Sequence, residues 1–386
     1  MVFSKKSLQL TIATLLVCLP FFGFANQPQD TIKAHAENTA VHAGEEGHAT
    51  KEKGHGAHGK ELTVAEKIDA LKAHHVLDSH SFIFFEDEAT HKKFGFPLPI
   101  ILWDNGVHVF SSSKFEHGAA ESKGNFYVLG HDEKIYKTDA SGTLTGDAHH
   151  PTNAKPLDFS ITKNVVSMIM VALLMFLLFA GLAKSFAKNG GISSGFGRIF
   201  EPIVLYVRDE IAIPNIGEKH YKKYMSYLLT IFFFVWFLNM VGLTPLGINV
   251  TGNISITFGL AIITFLITNF TANKNYWRHI FWMPGVPLPM KIILAPIELL
   301  GVLIKPFSLM IRLYANIIAG HIVLMSLIAL IFIFKSWVGG TLSFLLSFAI
   351  STIEILVALL QAYIFTMLSA LYFGSAVEEH HHEEAH

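Results

Sequence analysis

Arg312 stands near the middle of an apolar run from Ile292 to Phe334, long enough to cross a bilayer. An arginine at the centre of a membrane helix costs about 2.5–3.5 kcal/mol on insertion scales, so such a residue faces a polar cavity or a partner. Its guanidinium stays charged even when desolvated, unlike a lysine ammonium, and a fixed positive charge favours the ionised form of any carboxylate that meets it. At about 100° per residue, Ser308 and Asn316 fall within about 40° of Arg312 on either side. Lys305 and Glu298 lie on the same stripe, provided Pro306 only kinks the helix. His321 points to roughly the opposite side, about 13 Å further along the axis. One helix therefore offers two polar faces at two depths.

A second long apolar run, residues 341–373, follows a turn expected at Lys335 to Gly340. Antiparallel pairing about that turn sets His321 level with Glu354. It sets Arg312 level with Tyr363, half a turn from Gln361. Glu354 and Gln361 share one helix face, and Ser347 and Ser351 continue the stripe toward the turn. An imidazole and a carboxylate at one depth on facing helices suit a proton relay. The same pair also suits a satisfied structural contact, and a single arginine can pair with a neighbour or reach for the interface.

Arg312 to His321 reads RLYANIIAGH, and Leu359 to Phe365 reads LLQAYIF. The first resembles the Arg-Leu-aromatic-small-Asn run, ending in Ala-Gly and a polar residue, of the a subunit of F-type ATP synthases; the second resembles that family's aliphatic-Leu-Gln-Ala-aromatic-Ile-Phe run. The resemblance covers about Val165 to Phe373 and not the chain before it. It implies two long, tilted, antiparallel helices packed against a ring of c subunits, and ion translocation coupled to rotation. Each c-subunit carboxylate would cross the lipid protonated and give up its proton at Arg312. An outer half-channel would pass His321, Glu354 and Gln361; an inner one would pass Glu298, Lys305 and Ser308, with Asn316 beside Arg312. The implied partners are the c ring, the b-subunit peripheral stalk, the F1 sector and lipid, in a bacterial inner membrane, with no cofactor and no metal. Some bacterial members carry the acid on the first helix and the imidazole on the second, so His321 and Glu354 are an exchanged pair. Ala315 stands where Gly is frequent, which alters close packing against the ring.

The elements that must hold these residues follow from composition. Half of the chain is apolar, 51%, and the net charge is −1, so nothing global points to nucleic acid. Residues 1–25 carry Lys5 and Lys6, an apolar stretch, then Gly23 and Ala25 at signal-peptidase spacing, and are expected to be a cleaved signal. A retained anchor is the alternative; Leu16 and Val17 before the single Cys18 do not make a lipobox. Residues 26–60 are rich in Gly, Ala, Glu, Lys and His, a composition that predicts disorder. Their histidines suit a solvated tether, or metal scavenging or pH sensing, and the His/Glu tail at 377–386 reads the same way. Residues 61–160 predict a small exported, hence periplasmic, α+β domain: a helical period over 61–78, strands at SFIFF, PIILW, VHVF and NFYVL, and a hairpin at Trp103-Asp104-Asn105-Gly106.

Residues 161–376 predict an all-α polytopic membrane domain of about five embedded helices, ending in the long tilted hairpin. Spans are expected at Val165–Phe186, Tyr224–Leu246 and Ile254–Phe270 before the two long runs, with interfacial segments at 191–222 and 275–289. Lysines and arginines after the first and third spans put those ends, and the C-terminus, in the cytoplasm. Asn239 inside the second span could line an aqueous path or bond a neighbouring helix. The runner-up reading is a secondary ion transporter or channel with a periplasmic metal-binding head, but the two halves contain no corresponding pair of interrupted segments. A third reading, a membrane enzyme such as an intramembrane hydrolase, needs a nucleophile and a base, and neither HExxH nor GxSxG occurs in the spans.

Overall fold

The computed structural model describes residues 78–87, 92–130, 132–147, 150–188, 197–244, 248–283, 286–333 and 337–378. The expected signal, the His-rich segment, the helical period before Asp78, Lys335 and Ser336 of the expected turn and most of the tail lie outside the described residues; the rest of that expected turn, residues 337–340, is already helical.

The N-terminal part is built of short antiparallel strands. β1 (Ser81–Asp87) pairs with β2 (Lys92–Pro97), and β3 (Pro99–Trp103) with β4 (Val107–Ser111). The β3–β4 register places Trp103 opposite Val107, and Asn105 and Gly106 take positive φ of 53° and 146°, as the Asn-Gly signal predicts. A third sheet is formed by β5 (Ala120–Ser122), β6 (Asn125–Leu129) and β7 (Ile135–Thr138). Alternate residues Ile100, Leu102 and Phe110 meet Tyr127 and Ile135 in a small core. After a two-strand ribbon, β8 (Gly146–Asp147) with β9 (His150–Pro151), β10 (Leu157–Asp158) adds to β3.

β10 runs straight toward the first long helix, α1 (Lys163–Lys188). The junction is tied from both sides: the Lys163 amide donates to the Ser79 carbonyl at 2.9 Å, and the Asp78 carboxylate accepts from the Asn164 amide at 3.1 Å and the Thr162 hydroxyl at 2.9 Å. Asp78 thus satisfies a first-turn donor of α1 from 86 residues upstream. Beside it, buried His80 bonds Asp158 at 2.9 Å.

α2 (Gly197–Tyr206) continues through a wider π turn, Val207–Ala212, into Ile213–Ile216. The apolar-charged alternation expected of an interfacial segment is two sides of this helix. Val207, Ile211 and Ile216 are buried, while Arg208 and Asp209 pair at 2.7 Å on the other side. α3 (Tyr221–Gly242), the most buried span, carries Leu228, Phe233, Val235 and Leu238 into the core, and α4 (Ile254–Thr271) follows. The Trp-rich connection contains α5 (Lys274–Phe281), whose Trp277 and Phe281 rings stack at 6.1 Å.

The hairpin consists of α6 (Leu288–Ile333) and α7 (Trp337–Val377), of 46 and 41 residues. α6 continues through Pro296 and Pro306, so the condition placed on Pro306 is met. At about 1.5 Å per residue they measure roughly 69 and 61 Å, about twice a hydrocarbon core of about 30 Å. Among the described residues five helices are long and apolar enough to cross a membrane, and the mostly helical fold with its small β region is the architecture expected.

Candidate functional site

α6 turns two faces to different surroundings. Leu309, Leu313 and Ile317 are buried in the helical core. Arg312 projects on the other side among exposed Ile311, Ala315 and Ala319. Among the described residues no hydrogen bond or ion pair holds Arg312, although its charge reaches the Tyr372 phenol. One turn on, the Asn316 amide donates to the Gln361 carbonyl oxygen at 2.9 Å, and Gln361 is 2% exposed. Gln361 is therefore tied to the neighbour of Arg312 rather than to the arginine. Tyr363, expected level with Arg312, lies half-buried with its ring 6.2 Å from that of Tyr206.

His321 and Glu354 come together as counting from the turn predicts. They are 3% and 7% exposed, and the imidazole Nδ1 lies 3.9 Å from the carboxylate Oε1, too far for a direct hydrogen bond. Gly320 makes the approach possible, because a Cβ there would stand 2.8 Å from that oxygen. The pair opens on a cavity of about 10 Å³, measured to the centre of a water-sized sphere, which is the room one water needs. Asn239, Asn249 and Thr251 complete its polar lining. Asn239 bridges helices as well as lining the cavity: its Nδ2 donates to the Ala358 carbonyl at 3.5 Å and its Oδ1 accepts from Thr251 at 2.8 Å. Ser347, further along the Glu354 stripe, is buried, and Ser351 is half-buried.

A second small cavity lies on the other side of Arg312, between α4, α5, α6 and α7. The Lys305 ammonium stands over two rings there, 5.3 Å from Tyr372 and 5.8 Å from Tyr276. Glu298 is close enough to act on both Tyr276 and Lys305. Ser308 is half-buried one turn below Arg312, outside the lining. Thr264, Thr268 and Asn269 supply the remaining polar wall.

Several lining residues escaped sequence reasoning. Asn249 and Thr251 sit in the loop before α4, and Asn269, Tyr276 and Tyr372 reach the second cavity from three elements. The polar INVTGN run between two spans was the available signal for the first pair. Nothing local marked the others.

Arg312 separates the cavities: along α6 their nearest lining residues are Leu309 and Ile317. That interval is about 12 Å of helix. The arrangement can hold two small, mostly apolar pockets apart at a fixed charge, with an imidazole–carboxylate pair in the wall of one and a lysine in the wall of the other.

Comparison with known proteins bears on this geometry. Residues 71–159 match a domain of unknown function, DUF8433. The protein named ATP synthase subunit a from Anaeromyxobacter sp. (strain Fw109-5) is 39% identical over 264 residues, covering 66% of this chain and 64% of that one. Its namesake from Chloroherpeton thalassium is 41% identical over 237 residues, covering 59% of this chain and 70% of that one. The one from Myxococcus xanthus is 42% identical over 237 residues, covering 60% and 77%. Residues 165–374, which hold both cavities, the arginine between them and the described membrane-length helices but for the start of the first and the end of the last, match the family described as ATP synthase A chain, and the chain belongs to that family.

Proposed function

We propose that this chain is the stator subunit a of a bacterial F-type ATP synthase, carrying protons through two half-channels past a rotating ring of c subunits. The observation that carries the reading is the position of Arg312: an exposed, fixed charge on an apolar face, between two separate small cavities that each have polar side chains in their walls. A protonated c-subunit carboxylate arriving at that face would meet the guanidinium and lose its proton, since the adjacent positive charge favours the ionised form. The outer half-channel runs past His321 and Glu354 toward Gln361 and Asn239. The inner one runs past Glu298, Lys305 and Ser308, and Asn316 sits between Gln361 and the arginine. Arg312 blocks direct passage between them, so ion flow turns the ring. The exposed residues around Arg312 face the ring, the b-subunit stalk and the F1 sector complete the complex, and residues 61–160 form a domain on the outer side.

Arg312→Ala tests this. ATP-driven pumping in inverted vesicles should fall to background while the complex assembles in normal amount. Substantial residual pumping by the assembled variant would remove the assignment.

A further inference from the structure

Three buried polar atoms from three separate elements border the cavity beside Glu354 without a hydrogen-bond partner: Nε2 of His321 on α6, Oε2 of Glu354 on α7, and Nδ2 of Asn249 in the loop between α3 and α4. Burying such atoms unpaired is unfavourable, so a site that concentrates three of them is suited to hold a polar molecule. Asn249 is 4% exposed and its orientation is fixed. Its Oδ1 accepts from the Gly252 amide at 3.0 Å, which commits Nδ2 to the remaining direction. Gly252 is required for this, because a Cβ there would collide with the Asn249 amide group. The imidazole and the carboxylate face each other through their other atoms, Nδ1 and Oε1, at 3.9 Å, too far to satisfy one another directly and wide enough for one oxygen to stand within hydrogen-bond reach of both groups.

We propose that Asn249 is a positioning residue that holds one water between His321 and Glu354. Its Nδ2 donates to the water oxygen, or to Glu354 when the carboxylate turns, and the water passes a proton between imidazole and carboxylate without either side chain moving. The relay is balanced: the water accepts a proton from one group as it gives one to the other. This deepens the proton-path reading above and rests on it.

The test uses whole complexes in inverted vesicles, at equal complex content, with pumping rates measured across pH. Asn249→Asp keeps an oxygen for the Gly252 amide and so keeps the loop, but replaces the donor with a carboxylate. Pumping at neutral pH should fall about tenfold, the scale of one lost hydrogen bond. Its pH profile should move to the alkaline side, because an added negative charge favours the protonated forms of both His321 and Glu354. Asn249→Ser also accepts from Gly252 but is too short to reach the cavity. It should slow pumping to a similar degree with the profile unmoved. Either variant pumping at the parental rate with the parental profile would overturn the inference. His321→Ala separates the two levels: if it is slow while both Asn249 variants are not, only the role of Asn249 falls. If His321→Ala itself pumps at the parental rate, the proton path falls and the role of Asn249 with it.

Discussion

His321 and Glu354 are each buried with one atom unpartnered, and neither bonds the other directly. Two groups that serve one proton transfer should not lose function independently. In the proposed half-channel, each change to Ala slows transport, and the double change costs less than the product of the single losses, since either one already interrupts the same step. The exchanged variant, Glu at 321 and His at 354, should recover part of the rate by restoring both groups at one depth. Pumping at equal complex content decides it; multiplicative losses with no recovery would mean that the two act separately. The contact of Asn316 with Gln361 bears on the arginine in the same way. The amide pair fixes Gln361 one turn from Arg312 and leaves the guanidinium, among the described residues, without a hydrogen bond, as a charge that must meet moving carboxylates requires.

The hairpin brings α6 and α7 close enough for these contacts only where side chains are small. At Gly320 a Cβ would press on the Glu354 carboxylate, the free end of a flexible side chain, which can swing aside at little cost in stability. Gly320→Ala should therefore leave assembly unchanged and slow pumping severalfold, because the displaced carboxylate leaves His321. Normal pumping in an assembled Gly320→Ala complex would show that the approach of the two helices at this depth is not needed. Much at this scale was legible in the sequence. Long apolar runs with one turn between them fix an antiparallel pair, and counting from the turn matched His321 to Glu354 because both lie on regular helix. The same counting placed Gln361 beside Arg312 generally but could not show Asn316 as its partner, since that depends on side-chain reach. The Trp103–Gly106 hairpin was legible from two turn residues, whereas the pairing of Leu157 with Trp103 is contact across 54 positions, which no local pattern encodes. Asn249 was illegible for a related reason. A loop residue's direction is set by a bond to Gly252 and by helices that close over it from elsewhere.

Among the described residues a β-rich region meets the helical body where Phe82 and Leu98 join the helical core and where a polar cluster of Asp78, His80 and Asp158 sits, and that cluster should respond to pH. Burial alone would pull His80 down. The hydrogen bond and charge of Asp158, helped by Asp78 and Glu133, outweigh it and hold His80 above its ordinary value. Burial likewise pushes Asp158 up, but the His80 bond and charge bring its carboxyl below the usual carboxylate range. Burial dominates at Asp78, whose carboxyl is raised despite its bonds to Asn164 and Thr162. The stability that His80 contributes is fully present below its unfolded value near 6.5 and is lost as pH rises through the raised folded value. The contribution of Asp158 is present above the ordinary carboxylate value and is lost as pH falls through its lowered one. Asp78 runs the other way, its contribution fading as pH climbs from the ordinary carboxylate value to its raised one. The junction should therefore hold through mildly acidic and neutral pH and loosen on the alkaline side as His80 gives up its proton. The amides of Ile161 and Lys163, bonded to the Pro99 and Ser79 carbonyls, report on it directly. Their hydrogen-exchange protection, corrected for the intrinsic rate at each pH, should drop above the raised His80 value while helix amides deeper in α3 stay protected. In His80→Ala protection should be lower throughout and lose this alkaline step. A step that persists without the imidazole would assign the response to another group and leave the His80–Asp158 pair as a fixed tie between domain and helix.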